Sequence, residues 1–165
     1  MTEQLYLAYG SNMDPNCIRS RLGSDFLIDD AVPEAIAVLF AYKVVFQKRL
    51  MSGCGAADII DRSPEEAIPA AEAVIWRVSD DGLALLDIYE GVGAGHYRRE
   101  LRTVRTTTGR DIDVAIYLAE PEVIDPGLRP EHLYLHFLMN GARRFLSLDY
   151  LRWLQKVETK EVSNT

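Results

Sequence analysis

The chain has 165 residues, 48% of them hydrophobic, a formal net charge of −7 and two cysteines, Cys17 and Cys54. That length supports one domain with a core that needs no covalent staples, and two cysteines are too few for a disulfide framework. An acidic chain is repelled by nucleic acid and by anionic membranes. No apolar run approaches membrane-spanning length, and Met1-Thr2-Glu3-Gln4 lacks the basic and apolar regions of a signal peptide, so a cytoplasmic protein is expected.

Leu5-Tyr6-Leu7-Ala8-Tyr9 is a short apolar, aromatic run with the pattern of a buried strand, and it breaks at once into Gly10-Ser11-Asn12. Such a turn leaves backbone N–H groups without ladder partners, and N–H groups gathered together form an anion-binding concavity. An ordinary tight turn is the alternative. Asp14-Pro15 starts a helix, with a cap acceptor followed by Pro at the first helical position, and Gly23 stops it. Strand, small-residue loop and helix N-terminus together suit a carboxylate, phosphate or oxyanion.

Ala35 to Phe46 reads as one long strand and Gly55 to Ile60 as another. Asp61 to Pro69 is a polar loop with two prolines, and Glu72 to Val78 is a further strand. Asp80 is placed to cap a short helix ending near Gly91. On it Leu83, Leu86 and Glu90 fall at i, i+3 and i+7, which puts Glu90 on the face that buries leucines. An acid there loses hydration, its pKa rises, and it becomes able to shuttle protons near neutral pH. A last-turn side chain turned to solvent is the alternative, and Asp87 is the competing acid one turn earlier.

Tyr97 to Thr106 and Ile112 to Leu118 are hairpin strands joined by Thr107-Thr108-Gly109-Arg110. Glu131 to Phe145 and Leu148 to Val157 have helical spacing. Ser147 is the cap of the second, Asp149 lies in its first turn, and Leu146 with Leu151 form a hydrophobic staple. Thr159 to Thr165 is a frayed tail, which leaves 1–158 as the domain. Strands dominate early and helices late without alternation, so the fold class is α+β.

Several chemistries find little support. His132 and His136 have helical zinc-ligand spacing, but Leu133 stands where a zincin has Glu and no third ligand is evident, so no metal is expected. His96 has no evident partner. The cysteines read as small buried hydrophobes. Ser11 lies outside any G-x-S-x-G elbow, and no P-loop pattern is present. Arg98-Arg99 and Arg143-Arg144 read as solvated faces.

Tyr9-Gly10-Ser11-Asn12-Met13, with Leu86-Asp87-Ile88-Tyr89-Glu90-Gly91-Val92 and Gly95-His96-Tyr97, resembles the γ-glutamylcyclotransferase family, the AIG2-like and BtrG-like group. The likeness continues in order through Gly55 to Ile59, Val74-Ile75-Trp76, Tyr117, and Tyr134 through Asn140-Gly141 to Leu151. Ala73 departs from it, standing where many members have Gly. The resemblance implies a small mixed β-barrel with surrounding helices. It also implies intramolecular cyclisation of a γ-glutamyl amino acid or peptide to 5-oxoproline, with release of the amino acid or amine. Glu90 would be the general acid/base, with substrate contacts from Tyr6, Leu7, Ala8, Tyr9, Gly10, Ser11, Asn12, Tyr117 and Tyr134. No cofactor, nucleic acid or membrane partner is implied, and a monomer or homodimer is expected. A cyclotransferase for γ-glutamylamines or γ-glutamyl-protected intermediates, or a non-catalytic small-molecule binding module, is the alternative. Substrate choice falls to the Arg-rich strand after Tyr97 and to Pro121 to Pro130.

Overall fold

The computed structural model describes residues 2–23 and 31–161. Five strands form a mixed sheet: β1 (Glu3–Ala8), β2 (Val32–Leu39), β5 (Ala71–Ser79), β6 (Tyr97–Arg105) and β7 (Asp111–Ala119), in the order β2-β5-β1-β7-β6. β1 is central, antiparallel to β5 and parallel to β7. β3 (Tyr42–Arg49) and β4 (Gly55–Asp61) form a separate antiparallel ribbon. The helices are α1 (Pro15–Leu22), α2 (Asp80–Tyr89), α3 (His132–Phe145) and α4 (Leu148–Gln155).

The period-2 geometry of strands sorts the core into two layers. Tyr6 and Ala8 of β1, with Val74, Trp76 and Val78 of β5, pack against Ile18, Leu22, Leu86, Leu138 and Leu154 of the helices. Leu7 and Tyr9, with Ala73 and Ile75, face the opposite way onto Val44, Ala57 and Ile59 of the ribbon. Burial on both faces explains why these strands read as continuous apolar runs rather than alternating ones.

Two expectations are corrected, and a third, the mixed barrel, is met in its α+β class but not in its closure. Ala35 to Phe46 is not one strand: the chain turns at Phe40-Ala41, where the Phe40 side chain is exposed, so that β2 pairs with β5 and β3 with β4. No sheet closes into a barrel among the described residues. The edges β2 and β6 meet at one bridge, Ala37 with Thr106, and a continuous ladder is lacking. The cap of α2 is Ser79 rather than Asp80. Ser79 accepts from the Gly82 N–H at 3.0 Å, while Asp80 in the first turn accepts from Gln4.

Asp14 caps α1 through the Asn16 N–H at 2.9 Å, and Gly23 ends it with φ of 85°. Ser147 caps α4. The Lys160 N–H bonds the Pro130 carbonyl at 2.9 Å, and the rest of the expected tail, 162–165, lies outside the described residues. No helix among the described residues is long and apolar enough to cross a membrane.

Candidate active site

The end of β1, the C-terminus of α2, the β3–β4 ribbon and α3 converge on a cavity of about 270 Å³. Its position follows from the turn after β1. Residues Ser11–Met13 form a single 3-10 turn, whose first N–H groups, on Ser11 and Asn12, have no acceptor within the turn. α3 presses directly on this turn: a Cβ added at Gly141 would lie 2.5 Å from Met13 Cβ and 2.7 Å from its carbonyl carbon.

Asn12 knits the turn to the rest of the site. It is buried, and its backbone carbonyl accepts from Trp76 Nε1 at 2.9 Å. Its Nδ2 donates to the Tyr6 hydroxyl at 3.0 Å and to Glu90 Oε1 at 3.3 Å, while its Oδ1 accepts from Arg21. Arg21 also donates to Ser11 Oγ at 3.0 Å and stacks 4.0 Å above the Tyr89 ring. Ser11 Oγ therefore faces a cation that cannot serve it as a base.

Glu90 is the C-cap of α2, directly after Tyr89. Its N–H bonds the Leu86 carbonyl at 2.8 Å, and Gly91, with φ of 67°, closes the helix so that the Val92 N–H reaches Asp87 O at 2.9 Å. The half-buried carboxyl lines the cavity beside Asn12. Loss of hydration raises its pKa, and the charges of Arg21 and Lys48 pull against that rise.

The tyrosines divide by how their hydroxyls are used. Tyr9 donates to the Tyr117 carbonyl, Tyr97 to the Ala57 carbonyl at 2.8 Å, and Tyr117 to Asp87 Oδ1 at 2.7 Å. Those three present rings to the cavity. Tyr6 and Tyr134 instead accept, from Asn12 and from the Ala57 N–H at 2.9 Å, and neither O–H has an acceptor among the described residues. Both remain available as donors to a ligand. Burial is the main reason each keeps its proton, and Tyr134 is pushed up to about 12.

Glu90, Tyr6, Leu7, Tyr9, Gly10, Ser11, Asn12, Tyr117 and Tyr134 all line this cavity. Ala8 does not: its side chain alternates into the helix-facing core. Asp87 is held outside the lining by Arg99 at 2.7 Å. His96 does have a partner, since its Nδ1 lies 3.1 Å from Lys48 Nζ.

Arg21 and Lys48 are lining residues the sequence reading passed over. Arg21 sits three and four residues after the buried Ile18 and Cys17, on the inward side of α1. Lys48 is two and four residues beyond the inward Phe46 and Val44. Both spacings are visible in the sequence.

The sequence profile of the AIG2-like family matches residues 71–154, which carry α2 and Glu90, the β6–β7 hairpin and α3. A solved structure described as a gamma-glutamyl cyclotransferase superposes with a TM-score of 0.84 at 26% identity, over 99% of this chain and 93% of its own. The human protein loc79017, described as uncharacterized, gives 0.84 at 25% identity over 100% and 94%. A yeast gamma-glutamyl cyclotransferase specific to glutathione gives 0.64 at 12% identity over 93% and 94%, a likeness of fold. No curated protein sequence matches the chain.

Proposed function

The chain belongs to the AIG2-like family, and on that premise we propose that it cyclises a γ-glutamyl compound to 5-oxoproline and releases the amine or amino acid, with Glu90 as general acid/base. The observation that carries the reading is one shared cavity in which Asn12, on the N–H-rich turn, donates to the Glu90 carboxylate at 3.3 Å.

The substrate brings its own nucleophile. Its α-amine attacks the γ-carbonyl carbon, a C–N bond closes the five-membered ring, and the original amide C–N bond breaks from the tetrahedral intermediate. One proton must leave the attacking nitrogen and one must reach the departing nitrogen. A single carboxylate between the two can do both, and the raised pKa of Glu90 brings it closer to the protons it must exchange. Holding the amine against the carbonyl is the proximity contribution, worth up to about 7–11 kcal/mol in ideal cases.

The turn amides of Ser11 and Asn12, with the Tyr6 and Tyr134 hydroxyls, supply directed donors for the glutamyl α-carboxylate and the developing oxyanion. The aromatic walls of Tyr9, Tyr97 and Tyr117 keep water from the intermediate.

The test is a panel of γ-glutamyl amino acids, peptides, amines and γ-glutamyl-protected intermediates, with 5-oxoproline as readout. At least one class is expected to give 5-oxoproline and free amine in equal amounts. Binding of 5-oxoproline with no turnover across the panel would instead identify a non-catalytic binding module.

A further inference from the structure

Lys48 is 5% exposed and lines the cavity from β3, yet no carboxylate pairs with it among the described residues. Its Nζ has one polar neighbour there, His96 Nδ1 at 3.1 Å, and the Tyr97 ring centroid lies 5.4 Å away. An ammonium has three N–H donors and no acceptor. In the neutral imidazole Nδ1 therefore accepts, and Nε2 carries a second donor. A buried ammonium without an anion is costly.

The other cation of the lining, Arg21, is already committed to Ser11, Asn12 and the Tyr89 face. The charged lining thus comprises Arg21, Lys48 and Glu90, two cations against one anion, in a chain whose overall charge is −7. A γ-glutamyl amino acid carries two carboxylates and one ammonium, and complements that excess. A γ-glutamylamine has one of each and does not.

We propose that Lys48, with His96, forms the subsite for the carboxylate of the departing amino acid and makes Lys48 the residue that selects γ-glutamyl amino acids over γ-glutamylamines. The inference rests on the cyclotransferase reading and names its leaving group. Lys48 and His96 come from β3 and the loop before β6, elements separate from the turn and α1 that would hold the glutamyl end. Burial lowers the lysine's pKa while Glu90 opposes that shift, as in a site whose cation awaits an anion.

The experiment compares γ-glutamyl-L-alanine with γ-glutamylethylamine, which differ only in the carboxylate, in the wild type, Lys48→Met and Lys48→Gln. The wild type should favour the alanine compound. Both variants should lose on the order of 10- to 100-fold more in kcat/KM on it than on the ethylamine compound, the scale of a lost charge-assisted hydrogen bond, while any change passed through the charge of Lys48 on Glu90 falls on both substrates alike. Lys48→Gln keeps a polar side chain should the methionine variant not fold. Equal losses on both substrates, or none on the alanine compound, overturn the subsite. If the wild type turns over both without preference, the subsite fails and the cyclotransferase reading stands. If it forms 5-oxoproline from neither, the subsite fails, and the cyclotransferase reading falls with it when the rest of the γ-glutamyl panel also gives none.

Discussion

Glu90 and Lys48 each hold a charge where the fold disfavours it. The folded-state pKa of Glu90 is raised above its unfolded value near 4.3. Its contribution to stability is therefore full below that value and is lost as pH rises through the folded pKa. Glu90→Gln is expected to melt at pH 7 at or above the wild-type temperature, with the difference fading below about pH 4. A clearly lower Tm at pH 7 would contradict the assigned burial. In kinetics the same shift places the acid limb of kcat/KM above about 4.3, with activity falling as Glu90 takes up its proton. For Lys48 the folded pKa is lowered, so stability rises with pH between the folded and unfolded values, and at pH 7 the charge is a cost. Lys48→Met should therefore not lower Tm, as is common where function holds a residue against the stability optimum.

Asn12 behaves differently, because its side-chain amide N and O and its backbone carbonyl are all engaged, and only its backbone N–H is left to a ligand. Asn12→Ala strips Tyr6 and Arg21 of a partner inside the fold and should cost about 1–3 kcal/mol in urea unfolding, together with a fall in kcat. An unchanged unfolding midpoint would refute that role. Glu90 was legible in the sequence because its spacing from Leu83 and Leu86 sets it on an apolar face. The work of Asn12 was not, since its partners Trp76 and Glu90 are 64 and 78 positions away. The same holds for the tyrosines, whose rings announce a pocket while their hydroxyl partners depend on tertiary contacts.

At the scale of elements, the contact between α3 and the 3-10 turn sets the site's shape. Gly141 lets the helix lie on Met13 without a side chain between them. Gly141→Ala gains helix propensity of up to about 1 kcal/mol but forces a Cβ into the Met13 backbone, an overpacking cost of about 1–3 kcal/mol. The expected result is lower stability and a lower kcat/KM, because the displaced turn carries Asn12 with it; a stable, fully active variant would show that the turn does not depend on α3. Most elements were readable from caps and periodicity: Asp14-Pro15 and Gly23 bound α1, and Ser147 begins α4. The division of Ala35 to Phe46 was not, because the chain turns at Phe40-Ala41, two exposed apolar residues, where no Gly, Pro, Asn or Asp marks a break. Ser79 took the cap from Asp80 because both residue types serve and one residue of register decides.

For the whole molecule, the α+β class followed from the order of strands and helices, whereas barrel closure depends on how far the sheet curls, and here its edges touch at a single bridge. What the tertiary structure adds is convergence. A turn near residue 11, an acid at 90, a lysine at 48 and a tyrosine at 134 line one cavity, whose two cations against one anion contrast with the acidic chain around it. The central claim is that Glu90 moves the proton in an intramolecular cyclisation. It is tested most directly by measuring 5-oxoproline released from the best γ-glutamyl substrate by wild type and Glu90→Gln, with folding and ligand binding verified in both. Turnover by the wild type and a loss of about 10²- to 10⁴-fold in kcat for the variant, with binding retained, is the predicted result. Near-normal 5-oxoproline formation by Glu90→Gln would contradict it.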